Sequence, residues 1–398
     1  MKRNELPTPC FVVSETALRH NLEILAGVQK RTGAKVLLAQ KAFSMYRVYP
    51  LIAQYLSGAC ASGLYEARLA HEEMHGKLSP ILEHNNNIEA RLVKEETGGE
   101  IHVFSPAYTT EEMRELVTIC DHIVFNTFSQ LEQHRPVWQN SGVSVGIRVN
   151  PACSTQEGHA IYDPCAPFSR LGVTRENFRA DLLDGVEGLH FHTLCEQNSD
   201  DLVKTFEAFE RDFGAFLPHM KWLNLGGGHH ITKPDYDIYA LDELLYYIRA
   251  KYDLQVYLEP GEAVALNAGW LDTMVLDIVD NGMPILILDA SAACHMPDVL
   301  EMPYRPPLID AGEPNEKAVT CRLAARTCLA GDVIGDYSFD HMPKIGDRLS
   351  FADMAIYSMV KTNTFNGMPL PAIALMHEDG DCELVKTFGY EDFKGRLS

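Results

Sequence analysis

Apolar residues recur at helical spacing close to the amino terminus. Leu18, Leu22 and Leu25 follow one another at intervals of four and three residues, which places them on one face of a helix. Ser14 precedes this stretch as a candidate N-cap, and Gly33 follows it as a candidate stop signal. The pattern predicts a helix that buries a row of leucines.

The segments that follow contain short, continuous apolar runs. Residues 36–40 read VLLAQ, and similar runs are IHVFSP, HIVFN, VSVGIRVNP, EGLHFHT, KWLNLGGG and LQVYLEP. Strands without alternation are typical of a parallel sheet covered on both faces. Helical stretches such as TTEEMRELVTIC separate the runs. We therefore expect repeated βα units in an α/β fold, with a (βα)8 barrel of about 250 residues preferred over an open doubly wound sheet.

The pattern changes near residue 270, where strand-like segments follow one another with little helix between them. WLDTMVLDIVDNG and MPILILDASA are joined at Asn281-Gly282, a strong hairpin signal. VTCRLAART and DRLSFADMAIYS continue the pattern. We expect a barrel over residues 25–268 and a C-terminal β domain over 269–398, with residues 1–24 joining the β domain.

Charge and composition narrow the classes of partner. The chain has 398 residues, 46% hydrophobic and 22% charged, which is typical of a folded protein with more than one domain. Its 34 basic and 55 acidic residues give a formal charge of −21. A field of that sign repels phosphate backbones and anionic lipids, so we expect neither nucleic acid nor membrane as a partner.

Cysteine usage and the amino terminus indicate a compartment. The ten cysteines include no CxxC pair, which favours reduced thiols over a disulfide framework or a structural zinc site. The start, MKRNELPTPC, has no apolar region of the kind found in signal peptides. We expect a cytoplasmic protein.

Two charged side chains stand at the ends of predicted barrel strands, where barrel enzymes place their reactive groups. Lys41 follows VLLAQ, and a desolvated lysine amine can attack a carbonyl carbon. Lysine after an apolar strand is also a common surface residue. Glu259 ends LQVYLEP and could hold the proton of a pyridine ring or serve the start of the next helix.

Glycines and histidines follow two further strands. The backbone N–H groups of residues 226–228, three consecutive glycines, could surround a phosphate, although a tight turn needs the same residues. His190 and His192 point to one face of their strand and could stack on a flat cofactor or bind a metal ion. No third ligand lies at a familiar spacing, so we rank a metal-dependent hydrolase below an enzyme whose histidine stacks on a cofactor. The remaining alternative is that His190 is a buried structural residue.

The order of these motifs resembles the alanine-racemase-like pyridoxal phosphate enzymes, specifically the ornithine/diaminopimelate decarboxylase family and its polyamine branch. The segments that carry the resemblance are TPCFVVSETAL, LLAQKAFS, GLHFHTLCEQ, LNLGGGHH, EPGEAV, CHMPDVLEMPYRP, TCLAGDVIGD and YSMVKTNTFNG. They span nearly the whole chain. The resemblance implies a barrel followed by a β domain, pyridoxal 5'-phosphate as cofactor, and decarboxylation as the reaction.

The resemblance also implies a role for each matching residue. Lys41 would bind the cofactor covalently, His192 would stack on its ring and Glu259 would pair with the ring nitrogen. Arg148 would lie near the cofactor, with a structural ion pair as an equal alternative. The phosphate-binding positions of the family match Gly226, Gly227, Gly228 and Tyr357. The part of the family motif that enters the active site of a second copy matches Cys328 and Asp332. Cys328 could also help protonate the substrate. A homodimer with shared active sites follows from the last pair.

One departure from the family bears on the substrate. Diaminopimelate decarboxylases typically read EPGR where this chain has EPGE, so Glu262 replaces an arginine. A carboxylate attracts cations, and Asp298 matches a family position that binds substrate amines. The alternative is that Glu262 and Asp298 are solvated loop carboxylates. We expect a carboxylated triamine as substrate, with ornithine, lysine, arginine or diaminopimelate as alternatives. Relatives often carry aspartate where this chain has Asn224, and we draw no functional conclusion from this difference. A cofactor carrier without activity is disfavoured because Lys41 and Cys328 are both present.

Overall fold

The computed structural model describes residues 1–74, 99–156 and 160–398. The chain forms two units. The barrel unit contains Asn21–Lys41 and Met45–Val264, and the sheet unit contains Met1–His20, Ala42–Ser44 and Ala265–Ser398. We describe each unit separately.

The first strand is β1 (Cys10–Ser14), and the first α-helix, α1 (Glu15–Thr32), follows it directly. The backbone N–H of Ala17 donates to Oγ of Ser14 at 3.3 Å, and Gly33 follows the helix at φ +70°. The structure therefore confirms the predicted helix with its cap and stop. Its three predicted apolar positions are fully buried: Leu18, Leu22 and Leu25.

Eight parallel strands of the barrel unit close on themselves in sequence order, from β2 to β9. They are β2 (Lys35–Ala39), β3 (Gly58–Ala61), β4 (Glu100–Phe104), β5 (His122–Phe125), β6 (Ser144–Arg148), β7 (Val186–His190), β8 (Trp222–Asn224) and β9 (Gln255–Leu258). Closure confirms the (βα)8 barrel and excludes the open sheet, a choice that local patterns could not make.

Helices of the barrel unit lie between and after these strands. They are α2 (Tyr49–Ile52), α3 (Leu64–Glu73), α4 (Thr110–Ile119), α5 (Phe128–Trp138), α6 (Ser199–Phe213), α7 (Ile238–Tyr252) and α8 (Glu262–Ala265). Short 3₁₀ helices occur at Tyr46–Val48, Ala160–Tyr162, Arg175–Asn177, Ala180–Leu182 and Gly214–His219. No helix in the described ranges is both long and apolar enough to cross a membrane.

Side chains fill the barrel interior, so it is a packed core. At the amino end, the indole of Trp222 lies against Gly146 and Gly188, where an added Cβ would come within 2.3 and 2.0 Å of the ring. Overlap at these distances is prohibitive, so both glycines make room for the tryptophan. Leu37, Val124, Trp222 and Tyr257 form one buried cluster. This packing holds the strand ends in a fixed relation.

The sheet unit is built mainly from the last third of the chain. Its strands are β1, β10 (Gly269–Asp280), β11 (Pro284–Leu288), β12 (Val319–Ala325), β13 (Val333–Phe339), β14 (Arg348–Ala352), β15 (Ala372–Met376) and β16 (Cys382–Lys386). The strand order is β13-β12-β11-β10-β1-β15-β16, and β14 also pairs with β10. The C-terminal β domain of the predicted fold is therefore confirmed.

Short helices complete this unit: Arg3–Glu5 and Phe365–Gly367, both 3₁₀, and α9 (Ala292–His295), α10 (Asp298–Glu301) and α11 (Tyr390–Lys394). β10 and β11 pair antiparallel, with Gly282 at φ +91° in their turn, as the Asn-Gly signal predicts. The core of the sheet unit includes Phe11, Leu271 and Phe351. These contacts fix the loops that carry four of the candidate residues.

Candidate active site

Four loops at the carboxyl end of the barrel carry most of the candidate residues. Lys41, His192, the triple glycine and Glu259 follow β2, β7, β8 and β9, and parallel strands end on the same side of a barrel. Backbone hydrogen bonds join the loops: Glu259 N–H donates to the carbonyl of Gly226 at 2.7 Å, and Ala39 N–H donates to that of Pro260 at 3.0 Å. The candidate residues therefore share one rigid frame.

The carboxylate of Glu259 is the most constrained group of this frame. Nδ2 of Asn224 donates to Oε1 of Glu259 at 2.7 Å, and Nε2 of His190 lies 3.4 Å from Oε2. The second pair is too poorly aligned for a hydrogen bond, so its contribution is electrostatic. Burial acts to raise the pKa of Glu259, but His190, followed by His102 and Asn224, lowers it to about 2. The carboxylate is ionised at neutral pH.

His192 presents a neutral ring. The backbone N–H of Gly227 donates to Nδ1 at 2.9 Å, so the proton of the neutral imidazole is on Nε2. Burial, followed by the positive charges of Lys41 and Arg148, holds its pKa well below the usual value. Nδ1 is already engaged, which disfavours the metal-ligand interpretation. A neutral, flat ring fits the stacking role.

The glycine loop has to be made of glycine. Gly226 and Gly228 adopt φ +70° and +84°, and a Cβ at Gly227 would come within 2.0 Å of the carbonyl oxygen of Glu259. Gly226 N–H donates to Oδ1 of Asn224 at 2.8 Å, which leaves Gly228 as the loop glycine whose N–H has no partner in the described part of the chain. Two of the three amides expected to face a phosphate thus bind side chains of the barrel unit.

A buried polar residue fixes the turn that carries Lys41. Gln40 is fully buried; its Nε2 donates to the carbonyl of Glu66 at 2.9 Å, and its Oε1 accepts the hydroxyl of Tyr49 at 3.0 Å. Lys41 itself is exposed. Burial raises the pKa of the Cys60 thiol well above its usual value, while the charge of Lys41 acts to lower it. An accessible amine thus stands on a rigid turn.

Arg148 is a buried cation. It is 5% exposed, and its Nη2 donates to the carbonyl of His192 at 3.1 Å. Its guanidinium lies 4.5 Å from the ring centroid of Phe104. Burial lowers its pKa to about 10. Among the described residues no carboxylate lies within ion-pair distance, so the structural ion pair considered from sequence is not found there. An anionic ligand would compensate this charge.

Glu262 is bonded to an imidazole. Its Oε2 lies 2.5 Å from Nε2 of His230, and the two side chains are 12% and 7% exposed. The sequence predicts a carboxylate that faces a substrate cation, without indicating this partner. His230 lies after β8, and Glu262 is the first residue of α8, after β9.

The sheet unit holds the other predicted residues. Asp332 is buried, and its carboxylate accepts hydrogen bonds from Oγ of Ser291, Oγ1 of Thr327 and the backbone N–H of Ala293, at 2.7, 2.6 and 3.1 Å. Cys328 lies on the same loop, between β12 and β13, with an exposed thiol. A carboxylate offers about four acceptor positions, so one remains for a ligand.

Asp298 and Tyr357 lie elsewhere in the sheet unit, and Lys361 contacts both. Nζ of Lys361 donates to Oδ1 of Asp298 at 2.5 Å and lies 5.7 Å from the ring centroid of Tyr357. Tyr357 adopts φ +52°, a strained conformation for an aromatic residue, and its N–H donates to the carbonyl of Ala42 at 2.8 Å. Ala42 directly follows Lys41 in the chain. The sequence does not indicate the lysine partner of Asp298.

Sequence reasoning missed the role of Asn224. Its side chain holds Glu259 through Nδ2 and the glycine loop through Oδ1, so it connects two candidate elements. Its place directly before the glycines, at a strand end, is the signal that could have led to it.

Comparison with known proteins places the chain among well-defined relatives. The family model described as "Pyridoxal-dependent decarboxylase, C-terminal sheet domain" matches residues 10–355. A carboxynorspermidine/carboxyspermidine decarboxylase of Campylobacter jejuni is 38% identical over 98% of this chain and 99% of its own length. A carboxyaminopropylagmatine decarboxylase of Synechocystis is 39% identical over 99% of this chain and 96% of its own.

A solved structure agrees with these relatives. The crystal structure of carboxynorspermidine decarboxylase from Campylobacter jejuni, complexed with norspermidine, superposes with a TM-score of 0.86 at 38% identity. The superposition covers 98% of this chain and 100% of the chain in that crystal structure. The barrel with a sheet domain is thus an observed architecture in a protein of similar sequence.

The lowered pKa of Glu259 predicts a dependence of stability on pH. A carboxylate whose pKa falls from 4.5 to about 2 on folding contributes about 3 kcal/mol above pH 4.5, and loses it as the pH falls towards 2. We expect the difference in unfolding free energy between wild type and Glu259→Gln to shrink over that interval. Urea unfolding at a series of pH values measures it, with the exposed Glu243→Gln as control. A difference that stays constant would contradict the assigned pKa.

Proposed function

Since this chain belongs to the family of pyridoxal-dependent decarboxylases, we propose that it converts carboxynorspermidine to norspermidine and carboxyspermidine to spermidine, in polyamine biosynthesis. It is a carboxy-lyase with pyridoxal phosphate as its cofactor. The observation that carries the substrate is the 38% identity, over nearly both full lengths, to the Campylobacter jejuni enzyme of that name. The crystal structure of the Campylobacter jejuni enzyme complexed with norspermidine supports this substrate.

The residues of the barrel unit fit pyridoxal phosphate. Lys41 offers an exposed amine to the aldehyde, and Glu259 offers an ionised carboxylate to the ring nitrogen. Arg148 is a buried cation with no carboxylate of the described residues within ion-pair distance, as expected near a phosphate or a substrate carboxylate. The N–H of Gly228 is an amide available to an anion. The donor set thus matches the aldehyde, the ring nitrogen and the anionic groups.

When bound, pyridoxal phosphate supplies a ring that accepts the electron pair left on Cα as carbon dioxide departs. Lys41 would hold the aldehyde through its side-chain amine. Glu259 holds a proton at the ring nitrogen, because its ionised carboxylate favours the cationic ring. His192 covers one ring face as a neutral imidazole. The backbone N–H of Gly228 would donate to the phosphate, and Arg148 would lie near the cofactor.

Acidic residues select the substrate by its amines. Glu262 and Asp298 bind ammonium groups of the carboxylated triamine, and Asp332 uses its remaining acceptor position in the same way. Glu262 and Asp298 are bonded to His230 and Lys361 in the absence of substrate. These partners keep the carboxylates ordered, so substrate amines meet oriented acceptors.

The Synechocystis relative supports a second candidate substrate. Carboxyaminopropylagmatine is the substrate in the name of that enzyme, whose identity to this chain is 39%. It differs from the triamines by a guanidinium group, which a carboxylate also binds. Diaminopimelate decarboxylases are more distant, at 26% identity over 59% of this chain for the Deinococcus radiodurans enzyme.

A panel of substrates tests the proposal. We expect the holoenzyme to release carbon dioxide from carboxynorspermidine and carboxyspermidine, with a kcat/KM at least about 100-fold above that for diaminopimelate, ornithine, lysine or arginine, because the shorter substrates lack an amine for one or more of the carboxylates. Product masses identify the reaction. Faster turnover of carboxyaminopropylagmatine would establish the second candidate, and turnover of diaminopimelate alone would refute both.

The same assay measures the role of Glu262. Loss of one charge-assisted hydrogen bond costs about 1.5–3 kcal/mol, so Glu262→Gln should raise KM for the triamines roughly 10- to 100-fold. The exposed Glu243→Gln serves as the matched control. An unchanged KM would remove Glu262 from the substrate site.

We further propose a homodimer in which Cys328 and Asp332 of one copy complete the site of the other. The exposed thiol of Cys328, on the loop between β12 and β13 that Asp332 fixes, is suited to reach a second subunit. There the thiol of Cys328 would help to supply the proton that Cα takes up once carbon dioxide has departed.

Mixing two inactive variants tests the shared site. Lys41→Ala and Cys328→Ala lose different halves of it, so a heterodimer has one intact site. We expect about a quarter of wild-type activity after the two are unfolded and refolded together in equal amounts. Each variant refolded alone is the control. A mixture no more active than those controls, or a Cys328→Ala enzyme with full activity, would contradict the proposal.

We place the protein in the cytoplasm, where its ten free cysteines remain reduced. Cell fractionation tests this placement, and recovery from an oxidising compartment would refute it.

A further inference from the structure

His230 is a buried imidazole with one bonded and one unpaired nitrogen. Its side chain is 7% exposed, and Nε2 lies 2.5 Å from Oε2 of Glu262. Nδ1 is fully buried and has no hydrogen-bond partner in the described part of the chain. Since nearly all buried polar groups in native proteins are paired, the bond to Glu262 is the interaction that accounts for a histidine at this place.

Hydrogen bonds hold the two side chains in a fixed relation. The backbone N–H of His230 donates to the carbonyl of Gln197, in the loop after β7, at 3.1 Å. Oγ1 of Thr232 donates to the carbonyl of Ala263, the residue after Glu262, at 2.7 Å. The segment after β8 is thus joined both to the loop after β7 and to the start of α8.

The charge of the pair follows from the tautomer of His230. Nε2 faces an oxygen of the Glu262 carboxylate, which only accepts hydrogen bonds, so Nε2 carries the proton. A second proton on Nδ1 would be a buried N–H without an acceptor, and such a group is costly. The imidazole is therefore a neutral donor, and the pair keeps the full negative charge of Glu262.

Oε1 of Glu262 remains for a ligand. The bond to His230 occupies Oε2, and no residue in the described ranges donates to Oε1. Oε1 is also not among the fully buried, unpartnered atoms of these ranges, so the 12% exposure of the side chain includes it. A cation can therefore approach Oε1 while Oε2 is held in place.

Asp298 has a charged partner instead. The ammonium of Lys361 donates to its Oδ1 at 2.5 Å and opposes its attraction for a substrate amine. The attraction exerted by Glu262 is not opposed in this way, because its partner is uncharged. The two carboxylates proposed to bind substrate amines thus differ in the charge of the group that orients them.

We infer that His230 is a positioning residue that decides the charge presented to the substrate, an inference that rests on the triamine decarboxylation proposed above. As a neutral donor it keeps Glu262 oriented and ionised without reducing its negative charge. A protonated substrate amine is then attracted to Oε1. His230 acts through Glu262, because its other nitrogen is fully buried and out of reach of a ligand.

Steady-state kinetics of the holoenzyme with carboxynorspermidine tests the inference. We expect His230→Leu, which has no donor, and His230→Lys, which adds a positive charge, to raise KM about 10-fold with kcat nearly unchanged, because uniform binding is lost. His230→Gln keeps a neutral N–H donor and should stay within about threefold of wild type. Calorimetry with norspermidine should show the same changes in Kd.

His219→Leu removes an exposed histidine of the barrel unit and is the matched control. Circular dichroism and the visible absorbance of the cofactor establish that each variant is folded and loaded. In a Glu262→Gln background, His230→Leu should change KM by less than about twofold, because the charge that His230 positions is already absent. Additive effects of the two substitutions would contradict the coupling.

The outcomes separate the inference from the proposed function. Wild-type KM and Kd in folded His230→Leu or His230→Lys would overturn the inference alone, as would a His230→Gln variant that is as impaired as His230→Leu. A wild-type enzyme that neither turns over carboxynorspermidine nor binds norspermidine would refute the proposed function, and the inference with it.

Discussion

The proposed chemistry depends on the compensation of one charge, the ionised carboxylate of Glu259, which is buried at the carboxyl end of the barrel. A buried carboxylate is costly unless other groups compensate it, and here the amide of Asn224 and the imidazole of His190 do so. The same Asn224 holds the glycine loop. One asparagine thus connects the carboxylate proposed to pair with the ring nitrogen to the loop proposed to approach the phosphate.

The barrel makes this arrangement precise. Eight parallel strands bring loops that are far apart in sequence to one end, and a core that includes Trp222 prevents the strands from sliding. Rigid strand ends suit a decarboxylase, because the bond to be broken has to be held in a fixed orientation to the cofactor ring. The opposite end carries polar groups of its own, Glu100, His102 and His122, whose two imidazole rings stack on one another.

Much of the fold and part of the site could be predicted from the sequence, because both follow from local patterns. Leucine spacing indicated α1, continuous apolar runs indicated parallel strands, and Asn281-Gly282 indicated the β10–β11 hairpin. The sequence also places Lys41 and Glu259 at the ends of barrel strands, as the structure has them, whereas their roles stay predictions. The pairing of Glu262 with His230, and of Asp298 with Lys361, could not, because each joins loops whose proximity depends on barrel closure or sheet register.

The most direct test is the position of the covalent bond to the cofactor. Reduction of the holoenzyme with sodium borohydride fixes pyridoxal phosphate on the lysine that holds it, and peptide mass mapping identifies that lysine. The account predicts the added phosphopyridoxyl mass on the peptide that contains Lys41. The same mass on another lysine, or an unmodified Lys41 in a fully active preparation, would contradict it.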